Sequence, residues 1–240
     1  MVLTVCPMAF DRTNTVWVGD VKYKDISGPD GVPDGVIDDY DKTNIGSPMP
    51  KFTFGWTNTF RYKNFDLSVF INGSYGNKVY NYLSMKLTHM NSPWTNQLNA
   101  VNGRAQLVPI NPNKVYEDGT MWYNDVSNVM VANPGASIPR ATINDPNDND
   151  RISDRYIEDG SYIRLKNISL GYTFPKKTID KLGLSNLRIY ANIQNLLTIT
   201  GYDGYDPEIG ASTSSVNVYG LDNGRYPSPT VYSFGLNVSF

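Results

Sequence analysis

The chain has 240 residues, a formal net charge of −2 and a sequence pI of about 5.4. Because it has no excess of basic residues with which to bind phosphates, we predict no nucleic-acid partner. It contains one Cys and one His, which excludes an internal disulfide and a zinc site built from Cys and His.

An acidic, glycine-rich loop is the first recognisable feature in chain order. Residues Met1–Phe10 before it lack the basic start and the long apolar core of a signal peptide. The loop contains four carboxylates in a pattern that resembles the second half of a Ca²⁺ loop: Asp25, Asp34, Asp38 and Asp41. The last ligand position is occupied by Asp rather than Glu, so a solvated, turn-rich loop is the alternative. We state Ca²⁺ binding at residues 25–41 as an expectation, and no other cofactor is required.

Alternation of apolar and polar residues with a period of two then predicts five strands. Successive side chains of a strand project to opposite faces, so each of these strands has one apolar and one polar face. In the third strand the apolar residues change from odd-numbered to even-numbered positions near Lys166. This change predicts a β-bulge that keeps them all on one face. Each strand has about ten or more residues, as a tilted membrane-crossing strand needs. The strands are predicted near residues 51–62, 64–76, 161–174, 186–199 and 229–240.

The connections between these strands are alternately short and long. The turn at residues 62–64 is tight, and the link at 175–185 is short, with a helical pattern that Gly183 closes. The connections at 78–160 and 201–228 are long and polar. Short and long links therefore fall at opposite ends of the strands, as in outer-membrane barrels with short periplasmic turns and long extracellular loops. This pattern predicts an all-β fold, an antiparallel transmembrane β-barrel segment with a periplasmic C-terminus.

The long connections contain the candidate ligand contacts. Aromatic rings with a few convergent polar groups are typical of ligand sites, and carboxylates accept the hydroxyl protons of sugars. The candidate residues are Tyr202, Tyr205, Asp206, Glu208 and Tyr226, with Trp94 and Trp122 in the larger connection. For each residue the alternatives are a membrane-interface belt, packing within the loop, or contact with a partner protein.

The sequence offers no constellation of catalytic residues. It has no G-x-S-x-G motif, no phosphate-binding glycine loop and no Cys/His pair. Acidic residues are plentiful, but no pattern ties two of them to one cleft, as a glycosidase requires. His89 is predicted to be a surface residue rather than a general base. We therefore predict that the chain is not an enzyme.

Several blocks of the sequence resemble the SusC/RagA family of TonB-dependent outer-membrane transporters. In the family's order they are Gly19–Asp25 (GDVKYKD), Asp34–Asp41 (DGVIDDYD), Tyr162–Pro175 (YIRLKNISLGYTFP), Leu187–Asn195 (LRIYANIQN), Gly204–Glu208 (GYDPE) and Gly224–Pro227 (GRYP). Residues 19–240 thus resemble the C-terminal part of the barrel, with 78–149 unmatched. Residues 1–18 match nothing in the family, and no plug domain is expected in this sequence.

The resemblance implies a function and a set of partners for the intact parent protein. It implies a barrel of about 22 strands that imports glycans or peptides, driven by TonB, across the outer membrane of a Gram-negative bacterium. The expected partners are a SusD-like surface lipoprotein that lids the barrel, the TonB complex and outer-membrane lipid. The alternative is a secreted all-β, Ca²⁺-dependent carbohydrate-binding module or adhesin. Such a soluble module buries its apolar strand faces, whereas a barrel exposes them to lipid.

Overall fold

The computed structural model describes residues 16–92, 94–142, 145–209 and 219–240. Most of the unmatched segment 1–18 lies outside the described residues. The chain divides into two compact units. The loop unit comprises Met1–Ile45 and Leu83–Tyr156, and the sheet unit comprises Gly46–Tyr82 and Ile157–Phe240. In the described part of the chain, no helix has both the length and the apolar character needed to cross a membrane.

Strands dominate the secondary structure of the described residues. The strands are β1 (Phe52–Tyr62), β2 (Phe65–Tyr75), β3 (Lys78–Asn81), β4 (Leu107–Pro109), β5 (Val129–Val131), β6 (Ile157–Asp159), β7 (Tyr162–Thr173), β8 (Asn186–Thr200), β9 (Leu221–Asp222) and β10 (Val231–Ser239). The helices are α1 (Tyr82–Thr88) and α2 (Lys176–Ile179), and single 3₁₀ turns lie at Asp39–Asp41, Asn99–Gly103, Trp122–Asn124, Val126–Asn128, Asp154–Tyr156 and Asp180–Leu182.

The five long strands form one antiparallel sheet in the order β1-β2-β7-β8-β10. They occupy the five stretches in which alternation predicted strands, so the prediction of an antiparallel, mostly β structure is confirmed. A three-stranded sheet in the order β6-β3-β9 and the pair β4-β5 complete the strand pairing of the described residues, and β3 and β9 run parallel.

The predicted bulge near Lys166 is confirmed. The register of β7 shifts between Leu165 and Asn167 against both of its neighbours. The extra residue restores the phase, so that Leu165 and Ile168 project to the same face of the sheet. The neighbouring strand β8 is irregular at the same place, where Asn195 has a φ of 52°. Asn tolerates this left-handed conformation better than most residues.

The short links lie at one end of the five-stranded sheet. The turn between β1 and β2 follows the pair Tyr62–Phe65, and Phe65 in turn pairs with Tyr172, close to the end of β7. The link from β7 to β8 contains α2 and ends its helical turns at Gly183, with φ 70°. Glycine adopts this left-handed conformation without the steric cost of a Cβ atom. The connections from β2 to β7 and from β8 to β10 leave the opposite end, as predicted.

One face of the five-stranded sheet is apolar on every strand. Directly opposed residues share a face, and the apolar set runs through pairs such as Phe60–Leu67 and Leu170–Ala191. These side chains are exposed or half-buried, and the most accessible include Trp56 at 55%, Leu236 at 60% and Phe234 at 84%. They therefore do not form the buried core of a two-sheet sandwich, which the soluble alternative requires.

Few apolar residues are buried in the described parts of the two units. In the loop unit the buried apolar residues are Val18, Val21, Met85, Ala105, Val129, Ile138 and Tyr156. In the sheet unit they are Val79, Ile179 and Tyr202. A five-stranded sheet with so few buried apolar residues has not folded around an interior of its own.

Candidate functional site

The polar face of the five-stranded sheet carries two ion-paired clusters, one near each end. Near the short links, Arg188 of β8 binds Asp66 of β2 with two hydrogen bonds, of 2.6 and 3.2 Å. The two side chains meet across β7 at Gly171, where a Cβ atom would overlap both of them. Both remain partly exposed. Arg61 and Lys63 lie beside the pair in an open cavity of about 530 Å³.

The second cluster lies near the long connections and is more deeply buried. Arg164 of β7 is 3% exposed, and its guanidinium donates to Asp206 Oδ1 at 2.5 Å and to Glu208 Oε2 at 2.6 Å. Its Nε donates to Thr198 Oγ1 at 2.8 Å, and Lys166 Nζ contacts Glu208 Oε2 at 2.6 Å. The four charged residues, hereafter the Arg164 cluster, fix the start of the connection from β8 to β10 against the polar face.

The carboxylate of Asp206 is fully engaged within the Arg164 cluster. Burial alone raises the pKa of Asp206, but hydrogen bonds from Arg164 and from the backbone N–H groups of Ser228 and Glu208 outweigh burial. They lower the pKa from 3.8 to about 2. The predicted contact residues Asp206 and Glu208 therefore come together, and both carboxylates bind cations of the sheet.

The predicted aromatic contacts lie in different surroundings. Tyr202 is buried, and its hydroxyl donates to Asp222 Oδ2 at 2.5 Å, while Gly204 leaves room for its ring. Burial and this carboxylate raise the pKa of Tyr202. In contrast, Tyr205 and Tyr226 are exposed and available to a ligand or partner.

The two tryptophan candidates belong to the loop unit. Trp94 is almost fully exposed. Trp122 is half-buried and packs edge-on against Tyr123, with 5.7 Å between the ring centroids. Trp94 thus has the accessible ring that a contact residue needs, and Trp122 has a ring that packing already uses in part.

The four predicted calcium ligands of the 25–41 loop, Asp25, Asp34, Asp38 and Asp41, mainly bind backbone N–H groups. Asp41 accepts hydrogen bonds from Ile26, Ser27 and Asp38, and Asp25 Oδ2 accepts one from Gly35. All four are described, and no three of them bring carboxylate oxygens within 4.8 Å of one another. Asp25 Oδ1 is buried and accepts no hydrogen bond in the described part of the chain. Calcium binding by this loop stays a prediction.

The prediction that His89 is a surface residue is wrong. His89 is 8% exposed, and its Nε2 lies 2.7 Å from Asp145 Oδ2. Asn149 donates to both oxygens of Asp145 and to Asp20, which forms an ion pair with Arg140. Burial raises the pKa of Asp145, but the hydrogen bonds from His89 and Asn149 outweigh burial and lower the pKa. The turn-rich run of Asp and Asn at 145–150 was the one local signal of this buried network.

Comparison with known proteins identifies relatives of the chain. No family model matches it. It is 36% identical to TonB-dependent receptor P3 of Formosa agariphila over 86% of its length. It is 33% identical to TonB-dependent receptor P26 of the same organism over 93%, and 29% identical to TonB-dependent receptor SusC of Bacteroides thetaiotaomicron over 86%. The alignments cover 18%, 20% and 17% of these proteins, so the chain spans about a fifth of the length of the curated relatives it matches.

Two solved structures share the fold. The RagAB peptide importer in its open-open state aligns with 88% of this chain and 20% of that chain, with a TM-score of 0.59 and 20% identity. The closed-closed state aligns with 89% of this chain and 20% of that chain, with a TM-score of 0.56 and 19% identity. At this identity the likeness shows the fold alone.

Proposed function

The homologues of this chain are TonB-dependent receptors, SusC among them, and we propose that the chain forms part of the wall of an outer-membrane β-barrel. The observation that carries the proposal is the continuous apolar face of the five-stranded sheet, which is exposed to the surroundings. Its strands have 11, 11, 12, 15 and 9 residues, close to the 9–11 or so that a tilted membrane strand needs.

The edges of the sheet support a segment of a larger barrel. In the described part of the chain, β1 and β10 each pair with one neighbour in this sheet. Unpaired edges invite aggregation, and barrel closure removes them. We infer that further strands continue the sheet on both sides in a parent barrel of about 22 strands, of which this chain supplies the C-terminal part. The short links then lie in the periplasm with the C-terminus, and the long connections lie outside the cell.

For the parent protein we propose TonB-dependent import of oligomeric nutrients, either glycans or peptides. The likeness to a peptide importer and to the receptor SusC supports this assignment. The proposed partners are a SusD-like surface lipoprotein and the TonB complex. Tyr205, Tyr226 and Trp94 are the candidate residues with exposed rings for contact with nutrient or lipoprotein.

Site-directed spin labelling tests the proposed membrane face. Single cysteines replace Trp56 and Leu236 on the apolar face, and Ser68 and Asn192 on the polar face, in a Cys6→Ser background of the parent protein in outer-membrane lipid. We expect the apolar-face labels to be accessible to oxygen and the polar-face labels to be accessible to a water-soluble relaxation agent. If the apolar-face labels are accessible to neither agent and the protein needs no detergent, the apolar face is buried, and the secreted carbohydrate-binding module replaces the barrel.

Growth experiments test the proposed import. Deletion of the parent gene should abolish growth of the host on the oligomeric nutrient and leave growth on its monomer unchanged. Deletion of TonB should have the same effect, and an affinity-tagged receptor should retain a surface lipoprotein. Unchanged growth of the receptor mutant on every oligomer that the host uses would contradict the proposal.

Calcium binding by the 25–41 loop is a separate proposal. The buried and unbonded Asp25 Oδ1 supports it, because a buried charged oxygen without a partner is costly. Calorimetric titration with Ca²⁺ should give heat that the Asp25→Asn variant loses, while the exposed Asp30→Asn variant keeps it. The absence of heat in the unaltered chain would contradict calcium binding by this loop.

A further inference from the structure

A buried imidazole and two carboxylates meet in the loop unit. His89 directly follows α1, and Asp145 and Asp150 lie more than fifty residues later in the chain. His89 Nε2 is 2.7 Å from Asp145 Oδ2, and Nδ1 is 3.3 Å from Asp150 Oδ2. One donor atom from each residue lies within 4.8 Å of the others, and no other group of His, Cys, Asp or Glu in the described ranges does so.

The cluster brings two carboxylates to one imidazole. Asp145 is 4% exposed and Asp150 is 30% exposed, so like charges meet at a largely buried position. Hydrogen bonds from Asn149 to Asp145 offset part of this repulsion. Nδ1 of His89 makes the contact with Asp150 without hydrogen-bond geometry. A cation held between the ring and the carboxylates would offset the rest of the repulsion.

The distance between His89 Nδ1 and Asp150 Oδ2 and the surroundings of the cluster fit a metal ion. Two ligands of a tetrahedral ion, each about 2.0–2.1 Å from the metal, lie about 3.3 Å apart. This is the separation of His89 Nδ1 from Asp150 Oδ2. Asn149 donates to both oxygens of Asp145 and orients that carboxylate, as residues around metal ligands do. Asp150 is 30% exposed, so water can complete the coordination.

We propose that one ring nitrogen of His89 and carboxylate oxygens of Asp145 and Asp150 bind a divalent first-row transition-metal ion, such as Zn²⁺ or Mn²⁺. Imidazole with carboxylates suits these ions better than it suits Ca²⁺, which prefers oxygen ligands throughout. The ion would join the end of α1 to the 145–150 segment within the loop unit. The proposal stands independently of the transport function.

Metal titration of the full chain tests the site. The chain is purified in detergent without a polyhistidine tag, stripped with EDTA, and titrated with Zn²⁺ and with Mn²⁺ in a calorimeter. We expect one ion per chain and a loss of affinity of at least about tenfold in Asp150→Asn. The matched control is Asp148→Asn, which changes an exposed carboxylate of the same segment. This control should bind the metal like the unaltered chain.

Histidine-selective labelling gives a second measurement that does not depend on a variant. The sequence contains one histidine, so [¹⁵N]histidine gives one pair of ring-nitrogen resonances, and Zn²⁺ should move one of them to the position of a coordinated nitrogen. Unchanged ring resonances with no heat of binding would overturn the proposal. Equal affinity in Asp150→Asn and in the unaltered chain would also overturn it.

Discussion

The two ion-paired clusters on the polar face of the sheet use the same chemistry in different surroundings. Arg188 and Asp66 are partly exposed and join two strands, whereas Arg164 is almost fully buried and binds a loop through Asp206. Exposed ion pairs contribute about 0–1 kcal/mol, but removal of one partner from a buried pair costs about 3–5 kcal/mol. Burial, more than the number of contacts, therefore determines which cluster stabilises the structure.

The largest effect should follow Asp206→Ala. The substitution leaves Arg164 buried with one carboxylate partner, Glu208, which is half-exposed. We expect the free energy of unfolding in detergent to fall by about 3–5 kcal/mol, and proteases should cut the connection from β8 to β10 faster. The matched control is Asp203→Ala, which alters an exposed carboxylate of the same loop and should change neither quantity. Equal effects of the two substitutions would mean that the Arg164 cluster is as weak as an exposed pair.

Acid should weaken the same contact without a substitution. The pKa of Asp206 is about 2 in the folded chain and 3.8 ordinarily, so its ionised form stabilises the folded state above pH 4 or so. That contribution is lost as the pH falls toward the folded pKa near 2. Pepsin cleavage of the connection from β8 to β10 should therefore rise between about pH 4 and 2. Asp206→Asn should lack this step, and an unchanged profile in that variant would assign the step to other carboxylates.

A buried contact in which a neutral hydroxyl is the donor should have an intermediate effect. Tyr202→Phe removes the hydroxyl that donates to Asp222, a residue that is 1% exposed. Asp222 still accepts hydrogen bonds from the backbone N–H groups of Gly224 and Arg225. Loss of one partner of a buried acceptor costs about 1–3 kcal/mol. Thermal unfolding should place this variant between Asp206→Ala and the unaltered chain. Tyr205→Phe is the control, because that tyrosine is exposed and should lose no stability.

The sequence predicted the strands and the bulge at Lys166 because both are local patterns. Alternation with a period of two needs no knowledge of a partner strand. The partners of Asp206 and His89 were not predictable in this way. Asp206 meets Arg164, which lies 42 residues earlier, and His89 meets Asp145, which lies 56 residues later. Such contacts depend on strand register and on the path of long connections, so composition identified Asp206 as a candidate but could not identify its partner.

The smallest effect should come from the exposed pair, and a double substitution makes it informative. Asp66→Ala should cost less than about 1 kcal/mol, because Arg188 can turn to solvent. Gly171→Ala adds a Cβ atom that overlaps the ends of both side chains. These ends are flexible, so the substitution should displace Arg188 and cost no more than loss of the pair.

The two substitutions should therefore not be additive. In the Asp66→Ala background, Gly171→Ala should cause no further loss of stability, since the pair that it disrupts is already absent. Urea unfolding of the four variants of the cycle measures the coupling. A cost above about 2 kcal/mol for Gly171→Ala alone would mean that the substitution overpacks β7 itself. The Asp66–Arg188 pair would then be held rigidly across the sheet. The difference in stabilisation between this pair and the Arg164 cluster would be smaller than their burial implies.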